Sequence, residues 1–586
     1  MRLVDARRLT GPNHLSRASL VIVEIALEPS ESAGAALAAY RGELVRMRAA
    51  FGLGADVPML TRLHRGGAVF GYEAPLDAML ACAEMSEWAV ESAAEVMAGR
   101  PPCSIEPKRV VIAEVLEHDR NPRLVALAAE ARRRDVPLLW DDDVVSLGTG
   151  KRSRSFPKAD MPDPASVPWE TLGAIPTVLV TGTNGKTTSS RLLARIASEA
   201  GLCVGTTSTD GITVGRELLE DGDWTGPAAA RIVLRRPDVD LAVLETARGG
   251  ILRRGLAVDT CDAALVTNVS DDHIGLYGID DVEAMAEVKG VVAKAVSANG
   301  TAVLNARDPR LVRLAGELAC KVTLFADLEG AGIDAGDPHD AGRDAARTVI
   351  ARHRADGGRA VFTRNGEVVA ATGDDPSGEE VLARIDALPI TFGGAARYNV
   401  ENVLGAVGVA QALELGSPAI AAGLSAFGMR DNPGRGQVVV RDGVTVLLDF
   451  GHNPEGVRAV MQLVGSLRKA ADASGKGRLT VVTGSPGDRS DQEIVDVARI
   501  LAEARPDRVF VRELGEYLRG RQPGDVPALY RRSFLELGLP AESFAVALSE
   551  VDALERAFEE STPGDLIAVL VHLELKEVQA FLERKT

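Results

Sequence analysis

The chain has 586 residues, 46% hydrophobic and 25% charged, with a formal net charge of −17 at pH 7. That length sets an expectation of about three or four domains, each apolar enough to bury its own core. The acidic balance argues against a nucleic-acid binder and against a protein held on an anionic membrane, but it leaves room for a local basic site taking an anionic substrate. The five cysteines (Cys82, Cys103, Cys203, Cys261, Cys320) form no CxxC or Cys/His cluster, so free thiols are expected. The opening Met1-Arg2-Leu3-Val4-Asp5 lacks a signal-peptide core, and no apolar run is long enough to span a bilayer. A cytoplasmic location is expected.

Along the chain, residues 1–165 mix strands and helices, with a strand over Leu20–Leu27 and an amphipathic helix over Asp77–Met97. The polar, Pro-rich Lys151–Pro168 reads as a linker closing this α+β block. An apolar β-branched run, Ile175–Val180, then meets Thr181-Gly182-Thr183-Asn184-Gly185-Lys186-Thr187-Thr188 and a helical stretch, Arg191–Ala200. Strand, glycine-rich turn, lysine, hydroxyl and helix make a phosphate-binding loop. The N–H groups of the turn and helix start would cradle phosphate oxygens, Lys186 would reach the β/γ-phosphates, and Thr187 would hold Mg²⁺. Val180 stands where the generic pattern has its first glycine.

Residues 166–430 alternate strands (Thr177–Val180, Leu241–Glu245, Ala263–Asn268, Thr301–Asn305) with helices, which predicts a central domain built on a mainly parallel sheet. Leu328–Gly378, rich in Gly, Asp and Arg, reads as a peripheral excursion. Residues 431–586 alternate again, with strands over Val444–Asp449, Thr480–Thr483, Arg508–Val511 and Leu566–Val571, which predicts a smaller doubly wound α/β domain. Glu245 ends its strand where doubly wound sheets bind ligands; it suits a Mg²⁺ ligand, or is an ordinary solvated carboxylate. His273, after Asp271-Asp272, is a metal ligand or a turn residue. Lys289, taken alone, is a solvated helix charge.

In combination these residues resemble the Mur ligases and folylpolyglutamate synthetases. The resemblance is carried by Gly182–Thr187, Glu245, Asn268, Asp272-His273, Lys289, Leu304–Pro309, Arg397-Tyr398-Asn399-Val400-Glu401-Asn402 and Asp449-Phe450-Gly451-His452-Asn453-Pro454. Within that superfamily the chain is most similar to the Mur-type half of the cyanophycin synthetase family. Asp223–Pro227, Glu245–Arg253, Pro433-Gly434-Arg435, Ser485-Pro486-Gly487-Asp488-Arg489 and Leu518–Arg521 carry that likeness. Leu9–Asn13 resembles the opening of that family's amino-terminal part. Asp143–Gly150 is similar to the entrance to its ATP-grasp domain, but Lys151–Pro168 then leads almost directly to the phosphate loop.

The resemblance implies an ATP-dependent acid–amino acid ligase working through an acyl phosphate, with ATP and Mg²⁺. It implies nucleotide contacts from Gly182, Thr183, Asn184, Gly185, Lys186, Thr187, Thr188, Asn399, Asn402, Arg435 and Asp449. Thr187 and Glu245 would hold a first metal ion and His273 a second, and Lys289 matches a lysine carbamylated in many Mur ligases. Arg248 and Arg253 would bind the carboxylate substrate, or form surface salt bridges. His452, Asn453, Asp488 and Arg489 would contact substrate from the last domain. The expected partners are a small-molecule or peptide carboxylate and an amino-acid amine. A homo-oligomer and a separately encoded ATP-grasp ligase stay open as partners. With one ATP site the chain is not expected to be a self-sufficient cyanophycin polymerase. A non-catalytic nucleotide-binding scaffold is the alternative.

Overall fold

The computed structural model describes residues 1–272, 274–329, 338–471, 477–513 and 515–584. The chain opens with an antiparallel sheet in the spatial order Arg2–Leu9, Leu20–Ala26, Gly67–Glu73, Leu60–His64. Alternation of side chains gives this sheet two dissimilar faces. Val21, Val23, Ile25, Phe70 and Tyr72 pack under helices Ala33–Ala50 and Met79–Met97 with Tyr40, Met85 and Trp88. The chain leaving the first strand lies on the central domain. There Thr10 N–H donates to the Arg254 carbonyl and Leu256 N–H to that of Pro12, both at 2.8 Å. Gly11 is pressed so close that a Cβ would sit 2.1 Å from the Leu256 carbonyl oxygen.

Lys151–Pro168 is not a linker, which corrects the sequence reading. Arg154–Pro157 pairs with Val144–Leu147, and that strand with Leu138–Trp140. Met161, Val167 and Trp169 are buried with Leu124, Leu127 and Leu172 in a small core. A few apolar residues spaced among prolines anchor the segment, and the polar average hides them.

The central domain is an eleven-stranded sheet. Seven strands run parallel in the order Val204–Ser208, Leu241–Glu245, Thr177–Thr181, Cys261–Val266, Val296–Asn305, Lys321–Ala326, Arg359–Arg364. Antiparallel strands complete both edges. Its central strands are apolar on both faces, as burial under helices on each side requires. Helices Lys186–Glu199, Arg397–Ala412 and Ser417–Ala426 cover one side. Helices Pro227–Leu234, Arg248–Arg254, Val282–Lys294 and Pro309–Ala315 cover the other.

Leu328–Gly378 is likewise no excursion. Arg359–Arg364 extends the parallel sheet beside Lys321–Ala326 and turns back through Glu367–Thr372. Ala360 and Phe362 enter one core and Val361 the other. Short strands among charged turns do not show as long apolar runs; residues 330–337 of this stretch lie outside the described residues.

The last domain has the sheet order Gln437–Arg441, Val444–Asp449, Leu566–Leu570, Leu479–Thr483, Arg508–Arg512, Phe544–Ala547, parallel except for the first strand. Helices lie on both faces, so the domain is doubly wound. Among the described residues no helix is long and apolar enough to cross a membrane.

Candidate active site

The phosphate loop joins Thr177–Thr181 to helix Lys186–Glu199, and two of its glycines are sterically required. Gly185 has φ +84°, and a Cβ there would meet Asn402 Oδ1 at 2.1 Å. A Cβ on Gly182 would lie 1.8 Å from Thr267 Oγ1. Strand Cys261–Val266 ends before Asn268, not at it as the sequence suggested, because the next residues serve the loop. Thr183 N–H donates to the Asn268 carbonyl and Asn184 N–H to Asn268 Oδ1, both at 2.9 Å. Lys186 Nζ lies over the loop, donating to the carbonyls of Gly182 and Thr183 at 3.1 and 2.9 Å.

At the helix start, Thr187 Oγ1 donates to Glu245 Oε2 at 2.9 Å. Parallel pairing sets Glu245 opposite Val180, one residue before the loop begins. Glu245 is 2% exposed, and its Oε1 is buried without a hydrogen-bond partner. Burial raises its pKa, opposed by the Lys186 charge and the Thr187 hydroxyl. A hydroxyl, a carboxylate and an unused buried carboxylate oxygen form a hard oxygen donor set suited to Mg²⁺ beside nucleotide phosphates. His273 lies outside the described residues.

Lys289 is not solvated. Helix Val282–Lys294 buries it against the loop, where Nζ donates to the Gly182 carbonyl at 2.8 Å. Desolvation, then the Lys186 charge, lower its pKa to about 7. Two lysines thus share Gly182, one from each side of the strand end.

A cleft of about 1540 Å³ opens from the loop between the central and last domains. Among the described residues eleven lysines and arginines line it against eight aspartates and glutamates. In a chain of charge −17 this concentrates positive potential where an anion would bind. Arg248 and Arg253 line it, Arg253 Nε donating to the Gly249 carbonyl at 3.1 Å. From the last domain come Asp449, Phe450, His452 and Asp488. Arg435 stacks on the Phe450 ring at 3.9 Å and donates to Thr209 Oγ1 at 3.2 Å. Asp449 Oδ1 accepts from Gly451 N–H at 2.9 Å; burial raises its pKa and Arg435 opposes the rise. His452 Nε2 stands 3.7 Å from Asp272 Oδ2. Asp488 is ion-paired with Arg519.

Several expected contacts lie elsewhere. Asn402 lines the cleft, but Asn399 sits behind it, donating to the Ile390 carbonyl at 3.0 Å and accepting from Asn402 Nδ2 at 3.1 Å. Thr188, by contrast, lines the cleft, its Oγ1 accepting from Asn432 Nδ2 at 3.2 Å at the chain crossing between domains. Asn453 bonds Asn184, and Arg489 is buried in an ion pair with Asp272, so neither lines the cleft. Sequence reasoning missed Thr209, which follows a strand as Glu245 ends one, and Tyr277, and it gave Trp224 a place in the family likeness but no role; Trp224 and Tyr277 wall the cleft. It gave Tyr398 no role, though its hydroxyl lies 3.4 Å from Asp449 Oδ2. The Arg7 guanidinium stacks on Tyr277 at 4.8 Å, so the first domain touches the cleft wall.

The phosphate loop, the carboxylate-ended neighbouring strand and a second α/β domain across the cleft are the arrangement of a Mur ligase fold. Residues 180–410 match the Mur ligase middle domain and residues 434–570 the Mur ligase, glutamate ligase domain. Over these two segments the chain belongs to the Mur ligase family. It is 36% identical to a cyanophycin synthetase of Synechocystis sp. over 436 residues, covering 74% of this chain and 46% of that one. It is 30% identical over 334 residues to a UDP-N-acetylmuramoyl-L-alanyl-D-glutamate–2,6-diaminopimelate ligase of Gloeobacter violaceus, covering 55% of this chain and 58% of that one. The chain thus spans about half the length of the curated relatives it matches. Among solved structures, the bifunctional folylpolyglutamate synthase/dihydrofolate synthase from Yersinia pestis CO92 aligns with 20% identity and TM-score 0.47, covering 70% of this chain and 89% of that one.

Proposed function

We propose that this chain uses ATP and Mg²⁺ to join an amino-acid amine to the carboxylate of an acidic amino acid or peptide. The observation that carries the reading is the buried Thr187–Glu245 pair with its unused carboxylate oxygen, under the charge of Lys186 at the start of the same helix. Thr187 and Glu245 would hold Mg²⁺, with His273 as the candidate ligand for a second ion. The ion, when bound, neutralises charge developing on the transferred phosphoryl group.

The substrate carboxylate attacks the γ-phosphorus, giving an acyl phosphate and ADP. The amine then attacks the acyl carbon, phosphate leaves, and one proton is released. The first step brings two anions together, so the chain must supply positive potential in advance. Lys186 and the N-terminus of helix Lys186–Glu199 supply it at the phosphates. Arg248 and Arg253, on the cleft wall, orient the carboxylate. His452 and Asp488 face the amine from the last domain. Asn402 and Arg435 flank the nucleotide, and Asn399 holds the Asn402 amide. Lys289, half neutral near pH 7, can add CO₂ to give a carbamate and a proton, which turns a cation into an anion.

One phosphate loop supports one ligation per turn. Building a two-component polymer would call for a separate ligase, and the mass of the product tells these apart. The test is ADP release with Mg-ATP across a matrix of acidic carboxylates and amino-acid amines, with mass spectrometry of products. Pair-dependent release and a mass gain of the amine minus water support the ligase. Nucleotide binding without turnover for any pair overturns it in favour of a nucleotide-binding scaffold.

A further inference from the structure

Asn184 and Asn453 face each other from the central and last domains, 269 positions apart in sequence. Asn453 Nδ2 donates to Asn184 Oδ1 at 3.0 Å, and Asn184 Nδ2 donates back to Asn453 Oδ1 at 3.3 Å. Two primary amides matched head to tail use a donor and an acceptor on each side. Glu455 Oε2 also accepts from Asn184 Nδ2, at 3.2 Å.

Each amide is anchored on its own side. The Asn184 carbonyl accepts from Thr267 Oγ1 at 2.6 Å, and its N–H is bonded to Asn268. Asn453 caps helix Pro454–Ala471: its Oδ1 accepts from Gly456 N–H at 2.8 Å and its carbonyl from Val457 N–H at 2.9 Å. Asn453 is 2% exposed. Gly456 leaves the pair its room, since a Cβ there would lie 3.2 Å from Asn453 Oδ1 and 3.3 Å from Asn184 Oδ1. Asn184 therefore turns its side chain to the last domain, while Gly185, Lys186 and Thr187 beside it serve the phosphates. A displacement of the loop passes to the helix whose first turn, Pro454 to Gly456, lines the cleft.

We propose that Asn453 is a positioning residue whose amide pair with Asn184 couples phosphate binding in the loop to closure of the last domain. In the ligase reading, on which this rests, the latch keeps water from the acyl phosphate until the amine has attacked. The pair can bias closure only by the difference in its energy between closed and open states. Two net hydrogen bonds correspond to a change in the closure equilibrium of about tenfold or more.

The test uses the full chain and hydrogen exchange of residues 454–462 with and without Mg-ADP. Asn453→Ser keeps a helix-capping oxygen but is too short to reach Asn184. Gly456→Ala keeps both amides and wedges them apart. The wild type is expected to gain protection with nucleotide. Asn453→Ser should lose about tenfold of that gain while binding Mg-ADP within about threefold of wild type, and Gly456→Ala should fall between. In turnover, ADP released per amide formed should rise at least about fivefold in Asn453→Ser. Wild-type protection and an unchanged ratio in Asn453→Ser overturn the latch. Should the wild type turn over no substrate pair, the ligase reading fails and the exchange measurement still decides the latch.

Discussion

Lys289 Nζ donates to the carbonyl of Gly182, tying a buried helix lysine to the first glycine of the phosphate loop. Its pKa, lowered by burial to about 7 from the ordinary lysine value of 10.5, fixes a pH dependence. Below about pH 7 the folded chain carries the buried charge at full cost. Between there and 10.5 the unfolded chain binds the proton that the folded chain has shed, so this group's contribution to stability rises with pH. Lys289→Met should therefore melt above wild type by a wider margin at pH 6 than at pH 9.

The same lysine offers a neutral amine for carbamate formation near pH 7. Turnover should fall in buffers stripped of CO₂ and recover with added bicarbonate. Lys289→Met should lose about 100-fold or more in kcat and show no response to bicarbonate.

Glu245→Gln separates stability from chemistry. Burial raises the Glu245 pKa, so ionised Glu245 costs stability, and that cost grows as pH climbs from 4.5 through the raised value. The glutamine variant should melt at or above wild type at neutral pH, by about 1–2 kcal/mol at most, and should lose metal-dependent ADP release. Thermal melts beside turnover check both halves.

Arg489 was expected on the amine substrate and stands instead in a buried ion pair with Asp272. Removing it leaves the Asp272 carboxylate short of its charge partner across the domain interface. Arg489→Ala should lower kcat by about tenfold or more while the amine KM stays within about threefold. A large rise in amine KM at constant kcat would return Arg489 to the substrate.

Glu550 organises the end of the last sheet that carries Asp449. It is 1% exposed, pairs with buried Arg512, and accepts from the backbone N–H groups of His572 and Glu574 at 2.7 Å. Those residues follow strand Leu566–Leu570, and His572 Nε2 lies 3.3 Å from the Gly451 carbonyl beside Asp449. Glu550→Ala should cost about 3–5 kcal/mol in denaturant unfolding, since it leaves Arg512 buried without its partner.

What the sequence made legible was what local chemistry requires. Glycines flanking Lys186 and Thr187, and a carboxylate ending an apolar strand, are short-range patterns, and the chain places them within hydrogen-bond reach. What stayed hidden depends on partners distant in sequence. Asn453 and Arg489 sit in motifs full of cleft residues, and only tertiary pairing with Asn184 and Asp272 turns them from substrate to interface. Asn399 differs from Asn402 by one helical turn, enough to put it behind its neighbour. The edge strands within 328–378 and the packed 151–168 were obscured by charged, Gly- and Pro-rich flanks. Tyr277 drew no notice because the loop bearing it has no periodicity.

The strand that carries the phosphate loop, Thr177–Thr181, is hydrogen-bonded on one side to Leu241–Glu245 and on the other to Cys261–Val266. Both neighbours come later in the chain. During synthesis the loop strand therefore keeps at least one open edge until about 80 further residues have followed it, about 4–16 s at ordinary elongation rates. Such an edge is a template for mispairing, and parallel pairing is slow to form. The strand that carries the nucleotide site is thus exposed to mispairing during synthesis, and truncations ending before residue 266 should collect as aggregates.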